Sequence, residues 1–248
     1  MQWQRGKLTP SNQLLMAFDR ASRTRVSNSI EITEVKEGCV ICWAGDRIEH
    51  VYFPDSTVLS MLTVLGDGSA IETANIGCEG AFGLFEAMYT HSSFSQCLVL
   101  MTGALLRIPF NELRYLFEHN LNIRTLFICY AEALRDQIQQ TVACYALHTT
   151  QQRLCGWLLT MDERQCGRDL EFTHEFLAYV LGTNRKSVTL AARAMQNAGL
   201  ISYQRGRIRI LNRSGLEKAS CECHMVVKRR FDSLKTQSAV PDDKEDCA

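Results

Sequence analysis

Apolar and polar positions alternate over residues 30–108, where short apolar segments are separated by turn-forming residues. The segments IEITEV and AIETANI alternate apolar and polar side chains with a period of about two, which is the period of a half-buried β-strand. Turn signals such as PDS (54–56) and GDG (66–68) recur about every 8–12 residues, as in all-β domains. The pattern predicts an antiparallel β-roll of the jelly-roll kind for this part of the chain.

A helical pattern replaces these turns after Pro109. Residues 110–161 contain no Pro and one Gly, and they predict a short helix over 110–118 and a long one over 121–146. Along the long helix, apolar residues recur at three-, four- or five-residue steps: Leu121, Leu126, Cys129, Ala133, Ile138, Val142 and Tyr145. A stripe of this length between two domains favours a dimer seam. Packing of the helix on its own domain is the alternative.

A third pattern, over residues 173–195, predicts two helices joined by a tight turn. Thr173 suits the N-cap of the first helix, and Gly182 ends it. Asn184 caps the second helix, whose buried face has apolar residues at i, i+3, i+4 and i+7: Val188, Ala191, Ala192 and Met195. The spacing of the small Ala178, the turn glycine and Val188 matches a helix-turn-helix unit.

The segment that follows, GLISYQRGRIRIL (199–211), predicts a β-hairpin with its turn at residues 205–206. Alternation places the isoleucines of its second strand inward and the arginines outward, at Ile208 and Ile210 and at Arg207 and Arg209. A hairpin directly after the second helix forms the wing of a winged helix-turn-helix, here with arginines at its tip.

Charge is distributed unevenly, although the formal net charge of the whole chain is zero. Residues 170–235 contain twelve Lys or Arg against five Asp or Glu, a net charge of +7, whereas residues 1–169 carry −4. Arg185 and Lys186 stand at a helix N-terminus, where the helix dipole favours anions. An external polyanion explains this placement, because DNA phosphates and guanine edges attract such side chains.

We therefore predict that the winged unit binds double-stranded DNA. The residues expected to contact DNA are Thr173, Arg185, Lys186, Ser187, Thr189, Arg193, Arg205 and Arg207. A ligand-binding or thiol-redox sensor whose basic winged domain serves protein contacts is the alternative.

The eleven cysteines lie mostly in apolar stretches, where a thiol acts as a small hydrophobic group. Two clusters differ from this pattern, Cys39-Val-Ile-Cys42 and Cys221-Glu-Cys223-His224, and neither has a partner pair at zinc-ribbon spacing. For the second cluster the sequence leaves metal binding and redox sensing both open.

Enzymatic and membrane functions find no support in the sequence. The six histidines are scattered outside any nucleophile, metal or phosphate-loop motif, so we expect no catalysis. No apolar run reaches the about 18 residues of a membrane span, and the N-terminus lacks the apolar core of a signal peptide. We expect a cytoplasmic protein without membrane contact.

The order of a β-roll, a long helix and a winged helix-turn-helix resembles the CRP/FNR superfamily of bacterial transcription regulators. Two segments carry the resemblance, IEHVYFPDSTVLSMLTVLGDGSAIETANIGCEGAFGLFE and FTHEFLAYVLGTNRKSVTLAARAMQNAGLISYQRGRIRI. It implies an α+β chain divided into a cyclic-nucleotide-binding-like sensor roll (1–120), a dimerisation helix (121–146), a winged helix-turn-helix domain (147–218) and a cysteine-containing extension with a polar tail (219–248). It also implies a homodimer on a palindromic operator, a signal relayed from the roll, and RNA polymerase as a further partner.

The sequence departs from the cyclic-AMP binders of that family at the effector pocket. Those proteins hold the ribose and the cyclic phosphate with Gly-Glu and Arg-Ser, whereas alignment on GLFE (83–86) places Gly80-Ala81 and His91-Ser92 there. A neutral histidine replaces a bidentate arginine poorly, so we expect no response to cyclic AMP.

Two further features distinguish this sequence from the pattern of that family. No Cys precedes Cys39, so the N-terminal cysteine set of the iron–sulfur branch is missing and we expect no cofactor. Thiols at Cys78, Cys221 and Cys223 are candidates for a redox signal instead.

Leu190 replaces the second arginine of the family's recognition helix, which predicts a different operator sequence. The effector, the operator and the sign of regulation stay open.

Overall fold

The computed structural model describes residues 3–5, 11–88, 90–165 and 170–237. Among these, the strands of the N-terminal part are β1 (Gln4–Arg5), β2 (Glu31–Val35), β3 (Val40–Cys42), β4 (His50–Pro54), β5 (Val58–Val64), β6 (Ala70–Ile76), β7 (Gln96–Met101) and β8 (Gly103–Pro109). The helices of this part are α1 (Gln13–Met16), α2 (Arg20–Ser27), α3 (Leu84–Met88), α4 (Phe110–His119) and α5 (Leu121–Leu147).

The C-terminal part begins directly after α5. Its helices are α6 (Thr150–Gln165), α7 (His174–Val180), α8 (Arg185–Asn197), α9 (Arg213–Ala219) and α10 (Cys223–Gln237), and its strands are β9 (Leu170–Glu171), β10 (Ile201–Gln204) and β11 (Arg207–Ile210). The residues of the predicted polar tail after Gln237 lie outside the described part of the chain. No helix in the described ranges is long and apolar enough to cross a membrane.

Two antiparallel four-stranded sheets form the N-terminal roll, in the orders β1-β2-β8-β4 and β3-β7-β5-β6. Alternation along β4 buries Val51 and Phe53 completely, as its apolar periodicity requires. Strand β7 is instead buried at every position. Cys97 and Val99 pack inside the roll, whereas Leu100 and Met101 join the core of the C-terminal part. The α+β fold class is confirmed.

Helix α5 packs on its own roll through one side. Asn120 caps it by accepting hydrogen bonds from the backbone N–H groups of Asn122 and Ile123 at 3.0 and 3.2 Å. Its buried side chains are Ile123, Phe127, Tyr130, Ala133, Leu134 and Gln137. This side holds the long helix against the sensor roll.

The predicted seam along α5 is wrong at Ala133, and three of its other residues contact their own chain. Ala133 is fully buried in the roll core, and Leu126 and Ile138 pack against that core. The Tyr145 hydroxyl lies 2.9 Å from the carbonyl oxygen of Glu72 and 3.0 Å from that of Val180 in the same chain. Five-residue steps advance around a helix, so the stripe crossed from one face to another. Of its seven members, Leu121 and Val142 are the exposed apolar ones, at 70 % and 62 %.

Candidate nucleic-acid interface

The helix-turn-helix unit begins at Thr173, whose side chain accepts a hydrogen bond from the backbone N–H of Phe176 at 3.1 Å. Leu177 and Val180 are fully buried below it. The turn passes through Gly182 at φ +55°, a left-handed conformation that favours glycine. A Cβ on this residue would also lie 2.4 Å from Cδ1 of Ile71 on β6, so the turn rests directly on the roll.

Helix α8 is held in the orientation that the sequence predicts. The Asn184 side chain accepts a hydrogen bond from the N–H of Ser187 at 2.8 Å and thereby fixes the first turn. The residues expected on the inner face are all buried: Val188, Ala191, Ala192 and Met195. Arg185, Lys186 and Arg193 are consequently exposed on the opposite face. The N-terminal end of α8 therefore presents cations to solvent.

His174 positions the middle of this surface. Its Nδ1 lies 3.0 Å from Oγ1 of Thr189, which donates to the carbonyl oxygen of Arg185 at 2.9 Å. Its ring stacks on Tyr203 of β10 at 4.2 Å between centroids. Burial lowers the pKa of His174, and the nearby Arg185 and Arg193 lower it further. A neutral imidazole thus joins α7, α8 and the wing without adding charge.

The wing is a two-residue hairpin. Its turn residues Arg205 and Gly206 have φ of +50° and +84°, as a type I′ turn requires. Arg207 forms an ion pair with Glu171 of β9 at 2.9 Å, and both side chains are more than half exposed. On the helices, Arg185 and Glu175 form a looser pair at 3.8 Å, and both are again exposed. Such surface pairs contribute little to stability, so a stronger anion can replace the carboxylates.

The structure places all eight predicted DNA-contact residues at the N-cap of α7, on α8 and in the wing. Six of the eight are exposed, whereas Ser187 and Thr189 are half-buried. Glu171 and Glu175 face two of the arginines, a pairing that the sequence analysis did not include. The charge excess of the segment alone therefore overstates how many of its cations are unpaired.

The residues predicted for the effector pocket lie in two different environments. Ala81 is buried, and the hydroxyl of Tyr130 on α5 donates to its carbonyl oxygen at 2.7 Å and accepts from its N–H at 2.9 Å. A Cβ on Gly80 would stand 2.5 Å from that same hydroxyl oxygen. The Tyr130 hydroxyl therefore binds the backbone of this loop and occupies the space beside Gly80.

His91 and Ser92 are held by a different part of the roll. The His91 ring packs edge-on against Phe110 at 5.0 Å, and its backbone has φ +55°. The hydroxyl of Ser92 donates to the carbonyl oxygen of Gly45 at 3.2 Å. Arg107, an arginine that could swing into a cyclic-nucleotide pocket, instead pairs with Glu31 at 2.6 Å and lies over the Trp3 ring.

A cavity of about 670 Å³ lies elsewhere, between β6, α5, α6 and α10. None of Gly80, Ala81, His91 or Ser92 lines it. At its wall the buried carboxylate of Glu72 accepts hydrogen bonds from Ser60 at 2.6 Å, from Asn75 at 2.9 Å and from the Trp157 indole at 3.0 Å. Burial raises the pKa of Glu72.

The redox candidates separate into two places. Cys78 is half-buried at the cavity wall, where the Gln13 side-chain amide lies 3.5 Å from its sulfur. Cys221 and Cys223 meet two residues that the sequence motif does not include, Cys144 of α5 and His148 at its C-cap. The Cys144 thiol lowers the pKa of Cys221 to about 5. His224, the motif's own histidine, faces Glu163 instead, with 3.5 Å between Nε2 and Oε2.

Two family models match the chain. The model of the cyclic nucleotide-binding domain matches residues 32–120, and that of the Crp-like helix-turn-helix domain matches residues 152–219. Together they cover more than half of the chain, in the order that the fold shows. A search of curated proteins by sequence gives no match.

Solved structures share this architecture. A protein described as a Crp/Fnr-family transcriptional regulator from Eubacterium rectale superposes with a TM-score of 0.66 at 19% identity, over 83% of this chain and 96% of its own. FixK2 from Bradyrhizobium japonicum gives 0.66 at 15% identity, over 77% and 96%. A CRP/FNR-family transcriptional regulator from Thermus thermophilus gives 0.62 at 20% identity, over 76% and 97%.

At these identities the structural likeness establishes the fold, and the two domain matches establish the ancestry of each half. Transcription regulators rather than enzymes make up this family. The exposed cations of α8 and the wing occupy the half that matches the helix-turn-helix domain. The chain therefore belongs to the CRP/FNR superfamily of transcription regulators, with a DNA-binding helix-turn-helix domain.

Proposed function

We propose that the chain is a cytoplasmic homodimer that binds a palindromic operator and regulates transcription without responding to cyclic AMP. The observation that supports this most directly is the N-terminal end of α8. There Arg185 and Lys186 are exposed while the opposite face of the helix is buried. A helix that presents its first residues in this way can enter the major groove and contact bases.

The exposed side chains divide into two roles. Arg185 is the base-contacting residue, because a guanidinium can donate two hydrogen bonds to guanine. Lys186, Arg205 and Arg207 contact phosphates and set the position of the helix. Leu190, which is 57 % exposed on the same helix, fits the methyl group of a thymine. Glu171 and Glu175 release their arginines when DNA supplies phosphate or guanine oxygens.

The dimer forms through the exposed face of α5. Leu121, Ile128 and Val142 are 70 %, 48 % and 62 % exposed, and they are spaced by seven and fourteen residues. A seven-residue spacing keeps side chains within about 20° of one face per heptad, so the three form one stripe. The roll covers the opposite side, which leaves this stripe for a second copy.

Selection from random duplexes tests the operator. We expect the purified chain to enrich an inverted repeat whose half-sites are about 34 Å apart, because a two-fold dimer places two α8 helices one DNA turn apart. Enrichment of a lone half-site would contradict the dimeric arrangement. No enrichment, together with capture of a protein by the winged domain, would favour the protein-contact alternative.

Calorimetry tests the effector. Titration of cyclic AMP into the purified chain should give no binding heat at micromolar concentration, because Ala81 cannot accept a hydrogen bond from the ribose through its side chain. A buried cyclic phosphate without a charged partner costs several kcal/mol. Micromolar binding that also tightens operator affinity would overturn this part of the proposal.

A further inference from the structure

Four metal-ligating side chains from two distant parts of the sequence meet at the end of α5. They are Cys144 of α5, His148 at the C-cap of α5, Cys221 in the turn before α10, and Cys223, the first residue of α10. One ligand atom from each lies within 4.8 Å of all the others. Cys221 and Cys223 are buried, and the other two are half-buried.

Two of the separations among these atoms match the edges of a tetrahedral site. The sulfur atoms of Cys144 and Cys221 are 3.6 Å apart, and the sulfur of Cys223 is 3.5 Å from Nδ1 of His148. Bonds of about 2.3 Å to sulfur and about 2.0 Å to nitrogen in a tetrahedron separate two sulfurs by about 3.8 Å and a sulfur from a nitrogen by about 3.5 Å. The side chains therefore need only small rotations to surround one ion.

Neighbouring groups orient two of these ligands from outside. Nε2 of His148 lies 3.6 Å from the carboxylate of Glu222, which leaves Nδ1 directed at the sulfurs. The Gln140 amide donates to the sulfur of Cys223 at 3.1 Å. A carboxylate behind a ligating histidine and a donor to a ligating thiolate are the outer contacts of protein metal sites.

We propose that Cys144, His148, Cys221 and Cys223 bind one zinc ion or a similar thiophilic divalent cation. Three thiolates and one imidazole complete a tetrahedral coordination sphere, so the site is structural and leaves no open position for a substrate. The three thiols release their protons to solvent when the ion binds. This proposal departs from the sequence-based expectation of no cofactor, and it does not depend on the proposed DNA binding.

The spacing of the four atoms selects among chemical alternatives. An iron–sulfur cluster places its ligands on more than one iron, whereas four atoms within 4.8 Å fit a single ion. A disulfide between Cys144 and Cys221 would use two of the thiols. It would not account for His148 or for the carboxylate behind it.

The position of the site gives it a mechanical role. His148 is the C-cap of α5, directly before α6, and Cys223 begins α10. α10 also binds α5 through the Arg230–Asp136 ion pair at 2.6 Å. A bound ion would therefore join the long helix, the start of the C-terminal domain and α10 at one point.

Cobalt titration of the full-length, metal-free and reduced chain tests the site without any substitution. We expect one Co²⁺ per chain, with the intense visible bands of tetrahedral cobalt and thiolate-to-metal charge transfer in the near ultraviolet. One equivalent of Zn²⁺ should abolish both signals. Weak octahedral absorption, or a stoichiometry below one ion in the reduced chain, would overturn the proposal.

Matched variants assign the ligands. Loss of an outer contact typically weakens metal binding by about 10–100-fold. Cys144→Ser and His148→Gln should each weaken Co²⁺ binding by more than this. Glu222→Gln should weaken it by an amount near the lower end of that range. Cys129→Ser, a half-buried cysteine of the same helix, and His224→Gln should bind Co²⁺ as the parent does. Equal losses in these controls would contradict the assignment.

Mass spectrometry of the chain as isolated separates the remaining outcomes. A bound zinc ion with all four ligand residues unmodified supports the proposal. A Cys144–Cys221 disulfide that persists in reductant and prevents Co²⁺ uptake would show a redox pair in its place.

Discussion

Tyr130 shows how one buried hydroxyl controls a loop of the sensor roll. It donates to the carbonyl oxygen of Ala81 and accepts from the N–H of the same residue. The hydroxyl also stands where a Cβ on Gly80 would lie. Because the tyrosine belongs to α5, it joins the loop to the long helix and leaves no room there for a larger side chain. The backbone of this loop is therefore coupled to the packing of α5.

Replacing Tyr130 by Phe should destabilise the fold by about 1–3 kcal/mol, because it leaves a buried N–H and a buried carbonyl without their partner. Urea unfolding followed by circular dichroism measures the difference in free energy of unfolding. Tyr115→Phe removes a hydroxyl from a ring that is 42 % exposed and serves as the control. Equal stability of the Tyr130→Phe variant and the parent would show that the bridge is unimportant.

Only part of the cysteine cluster could be predicted from the sequence. The pair Cys221 and Cys223 was visible in the sequence, but its partners lie some 75 residues earlier, as Cys144 and His148. The one available signal was their i and i+4 spacing, which places two residues on one face of a helix, but the predicted helix ended at residue 146, before His148. His224, adjacent in sequence, points elsewhere because α10 begins at Cys223 and turns that side chain toward α6.

At the scale of elements, α5 has three differently used faces. One packs on the roll through residues such as Phe127 and Leu134, and a second carries Asp136 and Gln140 toward α10. The third face exposes Leu121, Ile128 and Val142. Hydrophobic periodicity identified the helix and its length, but it could not assign each apolar residue to its own chain or to a partner.

Val142→Glu should convert the dimer to a monomer, since it places a charge in the apolar stripe without disturbing the packing on the roll. Operator affinity should fall by at least about tenfold, which corresponds to about 1.4 kcal/mol. Light scattering measures the mass of the particle in solution, and fluorescence anisotropy measures its affinity for the operator. Leu211→Glu, at a residue 59 % exposed beyond the wing, should leave the mass unchanged. A parent chain that is monomeric at micromolar concentration would refute the dimer.

Helix α10 marks the limit of element prediction in this chain. The sequence predicts only a cysteine-containing extension and a polar tail over residues 219–248. Val227, Phe231 and Leu234, spaced at i, i+4 and i+7, pack against the roll core and carry the missed helical signal. The winged unit was predictable because its caps, turn glycine and small crossing residue act locally. The destination of α10 depends on contacts that are distant in sequence.

At the scale of the whole molecule, the roll and the C-terminal domain share buried contacts. The Trp157 indole of α6 donates to Glu72 of β6, and Tyr145 binds the carbonyl oxygens of Glu72 and Val180. Gly182 of the helix-turn-helix unit rests on Ile71 of the same strand. A change in β6 can therefore reach α6 and α7 through direct contacts.

Glu72 should give the stability of this junction a pH dependence. Burial raises its pKa above the usual 4.5, so the protonated form is favoured in the folded state. The stabilisation of the folded state by this carboxyl is full at pH below the pKa of Glu72 in the unfolded chain. It is lost as the pH rises through the higher pKa of Glu72 in the folded chain. Urea unfolding of the parent and Glu72→Gln over a pH series measures the difference. The free energy of unfolding of the variant should increase relative to that of the parent as the pH rises above 4.5. A difference that does not change with pH would contradict the assignment, and Glu34→Gln, on an exposed residue, is the control.

The most direct test of DNA recognition is the operator affinity of the full-length chain over a series of salt concentrations. The logarithm of the binding constant should fall linearly with the logarithm of salt. Arg185→Ala should lose about 1–3 kcal/mol and relax specificity at one base pair of each half-site. Arg114→Ala, which removes an exposed arginine of α4, should bind as the parent does. Salt-independent binding, or equal losses in the Arg185 and Arg114 variants, would contradict the account.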